Sequence, residues 1–507
     1  MMNCLRAAVI AAALLGLAAV AGALGPERPL TGEELASLTG TDWYSVEILG
    51  KRSGYACVQV ETVETLDGPG LKVTEDVKIL IKLAGQQLEV SKSQITHYDA
   101  RLRLVSIEMA KEEMGRSQNI RAELDGRRLT IIKSVSGSAV GDDVRIIMVS
   151  DDFHSDIVVP WHMSRGELEV GDELTYEMYD SEVDAVDRHR VLVDRRETTD
   201  DGVETTVVRV VSEKLGIEAV SWLDARGTML RQEIPGLMGL TLVRVPEEEA
   251  LAELTAFEVT ATVKVEGHLP AVRQLEEVRL RVRRRAGEAV DLIPGSRRQE
   301  VVADDNDALV TITRERPPLT VATLPIEDPE LAECLASTAH AQADDPAIVA
   351  KACEIVGAKT DAWAAAQKIV SWVHRNMRKV SSEPRPISAV ECLDEMVGDC
   401  TEHAVLAAAL GRAVGLPTRM CTGLAYIGGG FGYHAWTEFY VGRWVEMDPA
   451  WGEMTADAGH MRLHSSTLDE MSYARASLAT GRTLGSIEID LLGYRDAAGD
   501  EVDLTEE

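Results

Sequence analysis

Short segments between residues 40 and 245 alternate apolar, mostly β-branched residues with polar ones. Examples are "DVKILIKL", "RLTIIKSV", "TTVVRVV" and "LTLVRV", and Gly, Asp and Asn stand between such runs. This pattern is typical of strands joined by tight turns. In "SWLDARGTMLRQEI" the turn falls at residues 224–227. Long alternation with tight turns favours antiparallel pairing, so we predict one large curved antiparallel sheet.

A second strand-rich segment follows an acidic helical stretch, "PEEEALAEL". It begins at "FEVTATVKVEG" and runs to about residue 324. It contains "VRLRVRRR", residues 278–285, in which arginines alternate with Leu280 and Val282. The alternation predicts a strand with one solvated arginine face, and an anion-binding stripe is the alternative.

After residue 327 the apolar spacing becomes helical. We predict helices at about 329–340, 346–356 and 361–377; Asp-Pro pairs open the first two, with Asp as cap and Pro in the first turn. A fourth helix is predicted at 401–414, "TEHAVLAAALGRAV", with Asp399 as N-cap and Gly415 as the stop. Five of the eight tryptophans lie between Trp363 and Trp451, which indicates a domain with its own core.

The N-terminus has the features of a secretory signal peptide. "MMNCLR" is a short basic segment, "AAVIAAALLGLAAV" is apolar, and "AGA" offers small residues for cleavage. An uncleaved anchor is the alternative. The predicted organisation is therefore a signal peptide at 1–23, β-rich domains at 24–250 and 255–325, a domain at 327–495 and an acidic tail at 496–507. We expect an exported protein, periplasmic or extracellular.

Charge and cysteine content exclude several classes of function. The formal net charge is −32, and nucleic-acid binding needs a basic surface, so we exclude nucleic acid as a partner. Six cysteines remain after Cys4 leaves with the signal peptide, and no CxxC pair occurs, so zinc-ribbon and thioredoxin sites have no support in the sequence. Cys334 and Cys353 are the best candidates for a disulfide, with two reduced thiols as the alternative.

Cys400 stands in the first turn of the predicted helix 401–414, within "GDCTEHA". Free backbone N–H groups and the helix dipole stabilise a thiolate at that position. A thiolate enzyme also needs a base, and "YHAWTEFYVGRWVEMDPAWG" predicts a hairpin that contains one. A three-residue loop at 440–442, with Gly442 left-handed, would set His434 directly opposite Asp448. An aspartate there can orient the imidazole.

These elements together resemble the transglutaminase-like superfamily of papain-like thiol enzymes. The matching segments are "GDCTEHA", "GLPTR", "YHAWTEFY" and "WVEMDPAWG", in that order within residues 398–452. The resemblance implies an α+β fold in which a catalytic helix packs on an antiparallel sheet, preceded here by the β-rich region. It also implies that Cys400 is the nucleophile, His434 the general base and acid, and Asp448 the orienting residue.

The implied activity is acyl transfer at a protein or peptide amide through a thioester. We expect hydrolysis or deamidation, with protein cross-linking as the first alternative. A non-catalytic protein that binds an envelope polymer through its β-rich part is the second alternative. The sequence leaves the oligomeric state open and indicates no metal or other cofactor.

Other residues near the triad are weaker candidates. Trp436 and Glu438 share the strand face of His434, so they either line the substrate channel or pack in the core. His403 is expected to be structural. His460 and His464 lack the glutamate of an HExxH motif, so we predict no metal site there. "IGGGFG", residues 427–432, is interpreted as a mobile loop over the cleft or a long hairpin connection.

Overall fold

The computed structural model describes residues 25–505 with short gaps. The gaps are residues 27, 66–67, 84–85, 114–115, 136–141, 152, 155–156, 182–183, 200–201, 236, 238, 260–261, 266, 285–292, 304–306, 359, 381–387 and 485. The predicted signal peptide, residues 1–23, lies outside the described residues. The chain divides into two compact units, one ending at Val259 and the other comprising the chain that follows.

The first unit is dominated by one large sheet. Its strands are β1 (Gly40–Ile48), β2 (Lys51–Thr65), β3 (Gly68–Leu83), β4 (Gln86–Tyr98), β5 (Leu104–Glu113), β6 (Arg116–Asp125), β7 (Arg128–Val135), β8 (Asp143–Met148), β9 (Glu173–Asp180), β10 (Ala185–Thr198), β11 (Glu204–Ser212), β12 (Ile217–Leu223), β13 (Met229–Ile234), β14 (Leu240–Val245) and β15 (Phe257–Val259). Its helices are α1 (Gly32–Ala36), α2 (Val158–Ser164) and α3 (Glu247–Ala250).

The strands run in the order β8-β7-β6-β5-β4-β3-β2-β1-β14-β13-β12-β11-β10-β9, with β15 added beside β3. All the neighbours in this order pair antiparallel; β15 joins β3 in parallel. The alternating pattern explains the sheet, since β12 buries every second residue from Ile217 to Leu223. The predicted antiparallel β-rich region is therefore confirmed. Among the described residues, no helix is both long and apolar enough to cross a membrane.

The second unit begins with short strands and then becomes mixed. Its strands are β16 (Thr262–Lys264), β17 (Glu277–Arg284), β18 (Gln299–Ala303), β19 (Asp307–Thr313), β20 (Arg378–Lys379), β21 (Val397–Gly398), β22 (Thr418–Ile427), β23 (Gly430–Tyr440), β24 (Trp444–Met447), β25 (His460–Ser466), β26 (Ile487–Arg495) and β27 (Glu501–Asp503). Its α-helices are α4 (Pro346–Val356), α5 (Ala362–Asn376), α6 (Ala389–Glu395), α7 (Cys400–Ala413) and α8 (Glu470–Thr483); 3₁₀ turns span Val272–Gln274 and Pro329–Cys334.

Two antiparallel sheets connect distant parts of this unit. One has the order β18-β19-β17-β26-β27, and the other has β16-β23-β22-β25 with β24 beside β23. The pattern along the sequence predicts separate domains at 255–325 and 327–495, whereas here β17 pairs with β26 and β16 pairs with β23. Strand pairing across some two hundred residues leaves no local signal, so the pattern along the chain could not show that the segments share sheets.

Several local predictions agree with the structure. In β17, Val278, Leu280 and Val282 are buried, and the arginines that alternate with them face outward into ion pairs such as Arg281 with Asp307 and Arg283 with Asp490. The strand interpretation of this segment is therefore confirmed. By contrast, residues 427–432 form no long loop, because a two-residue turn at Gly428 and Gly429 joins β22 directly to β23.

Helix α7 is the centre of the second unit. Every residue from Cys400 to Arg412 is buried, because α7 packs between the β22–β23 sheet on one side and helices α4, α5 and α6 on the other. The run of alanines suits this position, since small side chains allow close approach from all sides. The predicted helix packed on an antiparallel sheet is thus confirmed. Its nucleophile candidate lies at the end of a rigid core element.

The predicted disulfide is wrong. Cys334 and Cys353 are both free thiols. The Cys334 side chain is buried at the end of a 3₁₀ turn, whereas Cys353 lies on an exposed position of α4. Two cysteines on neighbouring helical segments can bond only when both side chains face the same gap. The helical spacing alone did not determine that orientation.

Candidate active site

Cys400 is the first residue of α7. The side chain of Asp399 accepts a hydrogen bond from the Thr401 N–H at 2.8 Å, and Glu402 accepts one from the Asp399 N–H at 2.7 Å. This reciprocal capping box fixes the start of the helix, as the sequence predicts for Asp399. The Cys400 thiol is thereby held at the positive end of the helix dipole, with little solvent exposure.

His434 projects from the middle of β23 toward that helix start. Its Nε2 lies 2.8 Å from Oδ2 of Asp448, which leaves Nδ1 as the ring nitrogen available to interact with the Cys400 thiol. Both His434 and Asp448 are buried. The structure thus brings together Cys400, His434 and Asp448 in the order of a thiol-enzyme triad.

The predicted register of the hairpin is wrong by two residues. The loop is 441–443 rather than 440–442, and Thr437 pairs with Met447 where the predicted register would have placed residue 445. Because the shift is even, Asp448 stays on the same face as His434 and the contact survives. Gly442 does adopt the predicted left-handed conformation, with φ of 105°.

Asp448 follows β24 and is enclosed by hydrogen-bond donors. Its Oδ1 accepts from the backbone N–H groups of Ala450, at 2.7 Å, and Trp451, at 3.1 Å. A backbone bridge between Asp448 and Glu453 closes this turn. Burial opposes ionisation of the carboxyl group, but the charges and hydrogen bonds of His434 and His460 hold its pKa well below the ordinary value. Asp448 is therefore an anion beneath the imidazole.

The electrostatics favour an ion pair at the reacting atoms. Burial would lower the pKa of His434, but Asp448 and the Cys400 sulfur raise it to about 9. For Cys400, burial and the nearby Asp399 carboxylate raise the thiol pKa, whereas the charge and hydrogen bond of His434 lower it. The imidazolium thus offsets part of the cost of burying a thiolate. The arrangement provides a nucleophile together with an acid–base group.

An aromatic side chain covers the His434 imidazole. Trp451 stacks on His434, with ring centroids 4.2 Å apart and planes inclined by 17°. On the indole face lie the cations of Lys379, 5.4 Å from its centroid, and Arg273, at 5.6 Å. Trp451 belongs to the quoted "DPAWG" segment, yet its role was missed because the geometry of a turn cannot be derived from composition. It fixes the plane of the imidazole.

Trp436 and Glu438 are placed in the packed interior rather than at an opening. Trp436 is fully buried and donates its indole N–H to Glu446 at 2.9 Å. Glu438 is buried and forms ion pairs with Arg419 at 2.7 Å and Arg462 at 3.0 Å. The packing alternative accounts for both side chains, because their polar atoms are used within the sheet.

The remaining histidines and donors near the site have separate roles. His403 is buried on α7, where its Nδ1 lies 2.6 Å from the Asp399 carbonyl oxygen, in agreement with a structural role. The side-chain amide of Asn376 donates to the Trp372 carbonyl oxygen at 2.8 Å. The Cys400 backbone N–H at the helix start is the donor that the geometry offers to an oxyanion.

The thiols buried elsewhere in the same unit differ from Cys400 in electrostatic environment. Burial raises the pKa of Cys392 and of Cys421 well above the ordinary value, and neighbouring glutamates add to the effect. These two thiols stay protonated and unreactive at neutral pH.

His460 lies beside the triad, although its sequence context predicts no metal site. Its Nε2 is 3.4 Å from Oδ2 of Asp448, and its Nδ1 is 2.8 Å from Oδ1 of Asp457. The ligand-type atoms of His434, Asp448 and His460 lie within 4.8 Å of one another, as do those of Glu453, Asp457 and His460. In the first group, both imidazoles are within hydrogen-bonding distance of the Asp448 carboxylate. The three side chains therefore form a chain of groups that share protons.

Comparison with known proteins agrees with this geometry. Residues 349–449 match the family profile of the transglutaminase-like superfamily. That match begins in α4 and ends just after Asp448, so it includes all three triad residues. No curated protein is similar enough in sequence to match this chain.

Three solved structures are similar to parts of the chain. A candidate cysteine protease from Cytophaga hutchinsonii is 16% identical, covers 42% of this chain and 86% of its own, and has a TM-score of 0.32. A β-barrel-like protein of a domain of unknown function from Brucella abortus is 10% identical, with coverage of 40% and 95% and a TM-score of 0.31. The periplasmic domain of TgpA from Pseudomonas aeruginosa, bound to ethylmercury, is 17% identical, with coverage of 39% and 91% and a TM-score of 0.26. These scores are too low to support an inference about this chain.

Proposed function

We propose that the transglutaminase-like domain of this chain is a working thiol enzyme that acts on protein or peptide amides through Cys400, His434 and Asp448. The observation that carries the proposal is the 2.8 Å contact between His434 Nε2 and the buried Asp448 carboxylate, beside a Cys400 thiol whose pKa the imidazole lowers. A vestigial site would not need a buried anion at that place, since burying a charge is costly unless it is used or paired.

The proposed reaction starts from the thiolate–imidazolium pair. The Cys400 sulfur attacks the amide carbon and forms a C–S bond, and the developing oxyanion accepts a hydrogen bond from the backbone N–H at the start of α7. His434 gives its proton to the leaving nitrogen, the C–N bond breaks, and a thioester remains. Water then attacks the thioester while His434 takes a proton from it. This step releases the carboxylic acid and restores the thiolate and imidazolium.

Hydrolysis or deamidation is the preferred outcome, and cross-linking to a primary amine is the alternative. The same thioester serves both reactions, so water access decides between them. A non-catalytic protein that binds an envelope polymer is the third candidate. We also propose export of the chain, for which the support is the signal-like pattern of residues 1–23.

The test is trapping of the acyl-enzyme. The full-length protein is mixed with a glutamine-containing peptide, quenched in acid within seconds and weighed intact; released ammonia is measured in parallel. The expected result is an adduct on Cys400 and ammonia release, both lost in Cys400→Ala but retained in the control Cys392→Ala. Incorporation of an added primary amine would favour cross-linking. A well-folded protein that forms no adduct with a panel of glutamine, asparagine and backbone-amide peptides would contradict the proposal.

Export has its own test. Intact-mass measurement of protein secreted by a bacterial host should show a mature chain that starts near Leu24. A full-length product held in the membrane would instead support the uncleaved anchor.

A further inference from the structure

The acid–base chain at the active site continues beyond Asp448. Oδ2 of Asp448 faces two imidazoles, His434 at 2.8 Å and His460 at 3.4 Å. His460 in turn faces Asp457 at 2.8 Å, and the Asp457 carboxylate also accepts the Gly459 N–H at 2.8 Å. Four titratable groups therefore alternate in charge behind the thiol.

These groups are enclosed in the protein interior. The side chains of Asp448 and His460 have no solvent exposure, and that of Asp457 has 4%. Two carboxylates buried this deeply need a positive partner between them, because an unpaired charge in the interior is very costly. His460 is that partner: although burial opposes protonation, the charges of Asp457 and Asp448 raise its pKa to about 10.

The turn that carries Asp457 and His460 is held by hydrogen bonds from residues 298 and 299, which lie far earlier in the chain. Arg298, itself buried, donates to the carbonyl oxygens of Asp457 at 3.1 Å and His460 at 2.8 Å. The next residue, Gln299, exchanges hydrogen bonds with the backbone of Arg462 at 2.8 and 2.9 Å. The start of the β18–β19 segment therefore holds the backbone around His460 in one position.

We propose that His460 is a positioning residue for the catalytic pair, because together with Asp457 it holds the Asp448 carboxylate in place. The positive charge of His460 and the negative charge of Asp457 then set the pH range over which Cys400 and His434 persist as thiolate and imidazolium. This inference rests on the proposed function of that pair. His460 does not contact the thiol, so its influence passes through Asp448.

The direction of the effect follows from the charges around the two imidazoles. The groups facing them from the surrounding elements are Cys400, Asp448, Glu453, Asp457, Arg273 and Arg298. The His460 cation lies 5.7 Å from the His434 ring and disfavours its protonation, whereas Asp457 compensates from the far side. Removal of the His460 charge alone should raise the pKa of His434, and removal of the Asp457 charge alone should lower it.

The experiment uses the full-length protein with His460→Gln and Asp457→Asn, and His464→Gln as the matched control. His464 lies on the same strand, and its pKa is set by burial and by Arg475 and Arg462 rather than by Asp448. Two readouts are recorded against pH: the rate of Cys400 alkylation by iodoacetamide, and the titration of the His434 ring by NMR. His434→Gln assigns the ring signal.

We expect the His434 titration to move up by on the order of one pH unit in His460→Gln and down by a similar amount in Asp457→Asn. The upper inflection of the alkylation profile should move with it, and His464→Gln should leave both unchanged. A merely structural role would reduce the alkylated fraction without moving either inflection, and this result would overturn the inference.

The two proposals can fail separately. If Cys400 proves unreactive and no acyl-enzyme forms, the proposed function fails, yet the NMR titration of His434 still decides the role of His460. If Cys400 is reactive but neither variant changes the titration, only the inference about His460 is lost. Should His460→Gln not fold, Asp457→Asn keeps the imidazole and decides the matter alone.

Discussion

Replacement of Arg298 by methionine tests how strongly the β18–β19 segment supports the candidate active site. The guanidinium is 2% exposed and lies 2.9 Å from Glu446. It also donates to the carbonyl oxygens of Thr313 at 2.7 Å, Asp457 at 3.1 Å and His460 at 2.8 Å. Methionine has a comparable length but no donors, so Arg298→Met removes the bonds without leaving a large cavity.

Breaking a buried ion pair costs about 3–5 kcal/mol, because the partner is left buried without compensation. In Arg298→Met, Glu446 still accepts the hydrogen bond from the Trp436 indole N–H at 2.9 Å. The decrease in the free energy of unfolding should therefore be near the lower end of that range, about 3 kcal/mol. With an m-value on the order of 3 kcal/mol/M in urea, the unfolding midpoint falls by about 1 M.

The assay is urea unfolding followed by hydrogen exchange of peptides that cover β25, because a chain of two units need not unfold in one transition. The matched control is Arg281→Met, which removes a half-exposed ion pair with Asp307 at 3.5 Å and should cost at most about 1 kcal/mol. Equal midpoint shifts for the two variants would refute the supporting role of Arg298.

Three further predictions concern the same unit. The folded protein raises the pKa of His434 to about 9 and that of His460 to about 10, above the unfolded histidine value of about 6.5. Protonation of these two residues therefore stabilises the fold fully below about pH 6.5, and the stabilisation is lost as the pH rises through 9 and 10. The urea midpoint should therefore fall between about pH 7 and 10. Gly452→Ala should destabilise the Trp451 turn by about 1–3 kcal/mol, since φ is 70° and a Cβ would lie 2.6 Å from the His374 ring; thermal unfolding measures the loss. A fragment of residues 260–505 should fold by circular dichroism, whereas 327–495 should not, because it lacks β16–β19.

Each of these has a control and a contrary outcome. For the pH effect, His460→Gln should flatten the fall, and an unchanged slope would count against it. For the turn, Gly499→Ala also has positive φ, 93°, but meets no atom within 4 Å, so an equal loss there would show that contact with His374 is irrelevant. A cooperatively folded fragment 327–495 would show that the shared sheets are dispensable.

Local patterns in the sequence were sufficient for the elements that carry the chemistry. The prediction of a helix start at Asp399 holds because capping depends on adjacent residues only. His434 and Asp448 meet even though the register differs from the predicted one, since an even shift preserves the strand face. Residue spacing and the alternation of side chains between the two faces of a strand were therefore sufficient to predict most of the triad geometry.

Long-range features were not accessible. The pairing of β17 with β26 joins segments far apart in the chain, and no local pattern encodes it. His460 was set aside because its surroundings lack a known motif, although its role depends on Asp457 three residues earlier and on Arg298 in another segment. The disulfide failed for a similar reason, because side-chain direction is decided by packing.

The most direct test of the account is a brief pulse of iodoacetamide followed by peptide mapping. Cys353 is exposed and serves as the accessible reference thiol, whereas Cys392 and Cys421 are buried. Cys400 should label faster than all three at pH 6–7, its ratio to Cys353 should increase as the pH falls from 8 to 6, and His434→Ala should abolish that increase. If Cys400 labels no faster than Cys392 and Cys421, and His434→Ala changes nothing, the thiolate–imidazolium pair does not exist and the catalytic account is wrong.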